Sequence, residues 1–161
     1  GSPSSSMPRA EIITAFRDLI ALLRGLGPPV VGVRGNVEEP AVRARLPETA
    51  ELSAAGLVIG VVHDAGPEAG RLERMRRRFP GAGAVVFGHS HIPLLQRAAD
   101  GFLIVNPGSP TDRRRAPRHS MAEITICGAG RPPAVAFRAV DEPAGPLDPA
   151  LVRNPGAGDR A

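Results

Sequence analysis

The chain has 161 residues and 42% hydrophobic content, enough for one domain with a substantial core and too few for two comfortable ones. It carries a formal charge of +4, and all 20 of its basic residues are arginine, which reads as codon bias in a GC-rich genome rather than as a nucleic-acid footprint. With no Trp or Tyr and five Phe, stacking platforms for single strands are excluded and the core must be aliphatic; the single cysteine, Cys127, excludes an internal disulfide framework and a cysteine zinc site.

No apolar run approaches the about eighteen residues a membrane span needs, and the N-terminus lacks a charged-then-apolar signal pattern. A cytoplasmic protein is the expectation. Residues 1–13 read as a leader or cloning remnant outside the fold, residues 14–140 as the folded domain, and residues 141–161, rich in Pro, Gly, Ala and Asp, as a mobile tail. From Thr14 to Leu26, Phe16, Leu19, Ile20, Leu22, Leu23 and Leu26 recur at helical spacing, with Thr14 as cap and Gly27 as stop. Pro28-Pro29 then feeds Val30-Val31-Gly32-Val33, which predicts a buried strand ending in Arg34-Gly35-Asn36-Val37-Glu38.

A short helix is predicted over 39–45, and Leu57–Val62 is a second apolar strand, ending in His63-Asp64. Residues 68–79 predict an arginine-rich helix with Leu72, Met75 and Phe79 inward. Its run Arg74-Met75-Arg76-Arg77-Arg78, like Arg113-Arg114-Arg115 further on, is expected to be a solvated face, with attraction of anionic substrates as the alternative. Ala84–Phe87 is a third strand, Gly88-His89-Ser90-His91 its exit loop, and Pro93 prevents a helix there. Phe102–Val105 is a fourth strand, broken by the turn Asn106-Pro107-Gly108-Ser109. Residues 122–127 and 134–140 predict an antiparallel pair that closes the sheet. The fold class is α/β, a layered sheet flanked by helices.

Of four histidines, His63, His89 and His91 directly follow strand-like runs, whereas His119 sits in an arginine-rich loop. A lone histidine is most often a hydrogen-bonded structural residue. Three at strand exits is another matter, because open α/β sheets bind ligands at the carboxyl ends of their strands.

Taken in order, Gly35-Asn36, His63 and Gly88-His89-Ser90-His91 ahead of Asn106-Pro107-Gly108-Ser109 resemble the calcineurin-like metallophosphoesterases, within them the small bacterial and archaeal phosphodiesterase branch. The resemblance spans about residues 14–140 and implies a dinuclear metal site: Asn36, His63 and His89 on one ion, His91 helping to hold the other, and Glu38 orienting its surroundings. Imidazoles and an amide suit borderline ions such as Mn, Ni, Fe, Co or Zn, with Mn the first expectation. Two ions about 3.5–4 Å apart would activate a hydroxide for attack on a small phosphodiester. Val37 stands where many members have a histidine near the leaving group, so activated diesters are the expected substrates.

The family's opening Asp-x-His and Gly-Asp motifs have no counterpart here, and its bridging aspartate would fall near Ile13. The expectation is therefore a domain truncated by its first β-α-β unit, with impaired activity and two metals only in a fuller form. Glu11 and Asp64 are the acids placed to substitute, and both read more readily as exposed. Two other readings stand beside the enzyme: a non-catalytic scaffold or binding protein on the same fold, and, disfavoured by the lack of aromatics, a nucleic-acid module.

Overall fold

The computed structural model describes residues 25–35, 44, 46–128 and 130–156. The acid Glu11, residues 14–24 of the first predicted helix, all of the helix predicted over 39–45 but residue 44, and Asn36, Val37 and Glu38 lie outside the described residues; residues 25 and 26 form a turn that leads into Gly27 at φ +101°.

Five strands form the first sheet: β1 (Thr49–Ala54), β2 (Leu57–Val62), β3 (Ala84–Val86), β4 (Leu94–Arg97) and β5 (Leu103–Asn106), in spatial order β1-β2-β3-β5-β4. The central strands β2, β3 and β5 are parallel, and both edge strands run antiparallel to their neighbours. Three strands make a second, antiparallel sheet: β6 (Ser120–Thr125), β7 (Ala134–Ala139) and β8 (Gly145–Pro146). The helix α1 (Arg71–Arg78) connects β2 to β3.

Alternation along the central strands explains the layers. Val85 and Ile104 point to one face, where they meet Leu72 and Met75 of α1 together with Phe79 and Phe87. Ala84, Leu103 and Val105 point to the other, joined by Ile59 and covered by Ala122, Val135 and Phe137 of the second sheet. Gly60 has a specific role on the helix side, since a Cβ there would lie 2.6 Å from the Phe79 ring. No helix among the described residues is long and apolar enough to cross a membrane.

Four sequence expectations are corrected. The run Val30–Val33 is not a strand; Val30 and Val31 are exposed, and Arg34 N–H donates to Pro47 O at 2.9 Å. The edge of β2 is taken by β1 through a tight hairpin at Ala55-Gly56, with φ +47° and +82°, the left-handed pair that a two-residue turn requires. Residues 120–125 and 134–139 pair as predicted, but they stack on the first sheet as a separate layer rather than closing it.

The predicted mobile tail is packed over 141–156. Leu147 is buried, β8 pairs with β7, and Arg153 both exchanges backbone bonds with Pro93 and Leu95 and pairs with Glu68 at 2.8 Å. That ion pair holds the Glu68 carboxyl below its usual range. The fourth correction concerns the helix, which begins at Arg71 because Gly70 sits at φ +71°, outside helical geometry. Its arginines are not simply a solvated face: Arg71 donates to Gly66 O, Arg74 to Ala65 O, Pro67 O and Ala69 O, Arg76 to Asp100 and Arg78 to Glu48.

Candidate metal centre

Because β2, β3 and β5 are parallel neighbours in register, with Val61 opposite Val86 and Val86 opposite Val105, their carboxyl ends open on one edge. His63 leaves β2 there and His89 leaves β3 two residues past Phe87. Gly88 N–H donates to His63 O at 2.9 Å, tying the two exits together. The rings meet edge to face, with centroids 5.3 Å apart, and His89 Nδ1 stands 3.3 Å from His63 Nε2.

That separation admits an imidazole hydrogen bond when one nitrogen is protonated. It also suits a shared cation, since two nitrogens each about 2.0–2.1 Å from one tetrahedral ion stand roughly 3.3–3.4 Å apart. The donor chemistry and the spacing both fit a divalent transition metal.

The His-x-His loop is held in an uncommon conformation. His89 has φ +73° and His91 φ +62°, left-handed values that cost about 1–3 kcal/mol each at a non-glycine residue and persist only when the surroundings over-determine them. Here the surroundings are visible. Asn106, fully buried at the end of β5, donates from Nδ2 to Gly88 O and Ser90 Oγ, both at 3.1 Å, and accepts from Gly108 N–H at 3.0 Å. Ser90 Oγ also accepts from Ile92 N–H, and Arg114 Nη1 donates to His89 O at 2.6 Å.

His91 is placed differently from the pair. Its Nδ1 is directed at the backbone carbonyl of Asp112, with the Asp112 carboxylate 4.0 Å away, which leaves Nε2 as the nitrogen with a lone pair to offer. Asp64 is exposed and turned onto its own backbone, accepting from Gly66 N–H at 2.8 Å. Among the described residues, no group of three or more His, Cys, Asp or Glu side chains is close enough to hold an ion. Asn36 and Glu38 lie outside them.

The turn after β5 is locked from the second sheet. Ser120 Oγ donates to Pro107 O at 2.9 Å and Ser120 N–H to Ser109 O at 3.0 Å. Gly108, at φ +79°, is required there, because a Cβ would fall 1.9 Å from Ser120 Oγ. The loop after His63 is fixed by the arginines of α1; Arg71, lowered in pKa chiefly by burial, also lies over the Phe87 ring at 4.9 Å. Sequence reasoning read Asn106 only as a turn residue. The signal that could have found it is its place at the exit of a parallel strand, the same edge that presents the histidines.

Residues 7–129 match the profile of the calcineurin-like phosphoesterase superfamily domain. The chain belongs to that superfamily. Its fold is shared with solved relatives at low identity: Vps29 of Entamoeba histolytica complexed with zinc (TM-score 0.64, 18% identity, 89% of each chain covered), Vps29 of Chaetomium thermophilum (0.64, 19%, 81% of this chain and 70% of that one), and a Thermotoga maritima protein solved by NMR (0.52, 23%, 89% and 90%). No curated protein matches the sequence. In this superfamily member, His63 and His89 occupy the strand exits that the motif resemblance assigns to metal, with Asn106, Arg114 and Ser120 building the frame around them.

Proposed function

We propose that this chain is a metal-dependent phosphodiesterase of the small bacterial and archaeal branch, with His63, His89, His91 and Asn36 as its metal ligands and Glu38 as an orienting group. The observation that carries the reading is the 3.3 Å approach of His89 Nδ1 to His63 Nε2 at the carboxyl edge of the sheet. A bound divalent ion would supply there the Lewis acidity that phosphodiester hydrolysis needs. The chain's own part is to hold two imidazoles at ligand spacing, to fix the His91 tautomer through Asp112 O, and to keep the strained loop in place through Asn106.

Two divalent ions a few ångströms apart repel strongly unless carboxylates offset them. With imidazoles and an amide as the donor set, this chain is proposed to hold one transition metal per protomer, manganese first among those its donors suit, and to hydrolyse activated diesters feebly. Isothermal titration with Mn²⁺ and Zn²⁺, repeated on His63→Ala and His89→Ala, tests this: one site in the parent chain and none in either variant is expected. No uptake by the parent chain would end the reading. Rapid metal-dependent hydrolysis of bis-p-nitrophenyl phosphate, lost in His89→Ala, would instead show that a further ligand completes a two-metal site.

A second reading, a non-catalytic scaffold on the same fold, draws on the lack of a three-ligand cluster among the described residues. The diester assay separates the two, since a scaffold leaves bis-p-nitrophenyl phosphate intact whether or not the histidine pair takes up metal.

A further inference from the structure

The segment after the Asn106 turn is joined to His89 and His91, two of the three site histidines. Ser109 Oγ accepts from Thr111 N–H at 3.3 Å and Asp112 N–H at 3.1 Å, and Asp112 Oδ1 accepts from Arg114 N–H at 3.1 Å. These bonds wind the chain so that Asp112 O meets His91 Nδ1 while Arg114, itself at φ +47°, reaches His89 O with Nη1. Arg113 turns away, donating to Pro117 O at 2.8 Å. Of the three consecutive arginines, Arg114 is the one anchored on the metal loop.

A guanidinium carries five N–H donors in a planar fork. Arg114 is exposed and uses a single bond among the described residues, that to His89 O, with no carboxylate paired to it. This differs from the helix arginines Arg76 and Arg78, whose charges are matched by Asp100 and Glu48. A guanidinium bonded to the backbone of His89 and matched by no carboxylate among the described residues is suited to an anion held beside that histidine, and its fork matches phosphate oxygens better than an ammonium does.

We propose that Arg114 is the substrate-binding residue for a non-bridging oxygen of the phosphate, with His89 O as the anchor that aims its fork. This rests on the metal-site reading above. Inorganic phosphate titrated into the Mn²⁺-loaded chain is the probe, followed by calorimetry alongside Mn²⁺ affinity for the parent, Arg114→Gln, Arg114→Lys and, as a charge-loss control at the other end of the sheet, Arg131→Gln. With Mn²⁺ held saturating, the expected result is phosphate binding weakened about tenfold or more in Arg114→Gln, the scale of one lost charge-assisted hydrogen bond, less in Arg114→Lys and not at all in Arg131→Gln, while loss of the bond to His89 O lowers Mn²⁺ affinity in Arg114→Gln by a smaller factor than it lowers phosphate affinity. Unchanged phosphate binding in Arg114→Gln with Mn²⁺ still bound would overturn this inference alone and leave the metal site standing. Loss of Mn²⁺ and phosphate affinity by equal factors, both restored by Arg114→Lys, would make Arg114 a prop for His89 and overturn it equally. Failure of the parent chain to bind Mn²⁺ would remove both readings.

Discussion

The two ends of the first sheet are built to different rules. At the amino end, the chain reverses through Ala55-Gly56 and through Gly101, at φ +96°, and charge is matched locally by the Arg76–Asp100 pair at 2.6 Å. A cleft of about 360 Å³ lies there, lined by Leu57, Gly83, Phe102 and Pro132 among others. At the carboxyl end, left-handed backbone falls on His89, His91 and Arg114, and a buried amide holds it in place. Where only a reversal is needed, small residues do it, Gly56 and Gly101 without strain and Ala55 as the one left-handed non-glycine at that end among the described residues. Where side chains must converge, strain is accepted and Asn106 offsets it.

The largest effect should come from removing that support. Asn106→Leu keeps the volume but removes the two bonds that tie β5 to the His-x-His loop and strips Gly108 N–H of its acceptor; Ser90 N–H still reaches Gly88 O and Ile92 N–H still reaches Ser90 Oγ, so about 1 kcal/mol for each lost bond and about 1–3 for the stranded N–H predict a loss of about 3 kcal/mol. Chemical denaturation measures it, and metal affinity should fall with it by roughly 10–100-fold, as for other supports of ligating residues.

Gly108→Ala comes next. Its Cβ would collide with Ser120 Oγ in a left-handed backbone, so about 2–3 kcal/mol should be lost, and Ser120→Ala in the same chain should recover part of it in a double-mutant cycle. Gly60→Ala pushes on Phe79 across the helix face and should cost about 1–3 kcal/mol while leaving metal affinity unchanged. A fall in metal affinity there would break the separation between the site and the rest of the core.

The smallest effect belongs to the amino end and to acid. Arg76 first, then the Phe102 N–H, hold the Asp100 carboxyl down at about 2. A carboxyl lowered on folding contributes stability above its unfolded pKa, near 4, and loses that contribution as pH falls through its folded value. Melting temperature should therefore drop between about pH 4 and pH 2, and Asp100→Asn should make that drop shallower with no change at neutral pH in metal uptake. Asp141, lowered by the His119 N–H and by Arg118, should add to the same acid limb.

Much of this was legible in the sequence. The apolar runs at 57–62, 84–87 and 102–105 are strands because β-branched and aliphatic residues buried on both faces leave no other reading for so short a run, and their exits name the histidines. The segment Thr49–Ala54 was not legible, since TAELSA carries one large apolar residue and its strand is made by pairing with β2. Val30–Val33 misled for the converse reason: three valines around Gly32 suggest a strand, but the ladder position beside β2 is filled by the hairpin. The fates of the arginines depend on what lies across from each guanidinium, a tertiary fact that a run of identical letters does not carry.

The most direct test of the account is anomalous diffraction at the zinc edge from crystals of the chain soaked in Zn²⁺. A peak bonded to both His63 Nε2 and His89 Nδ1 is the predicted result. Zinc found elsewhere on the molecule, with the two rings still hydrogen-bonded to each other and no density between them, would contradict it.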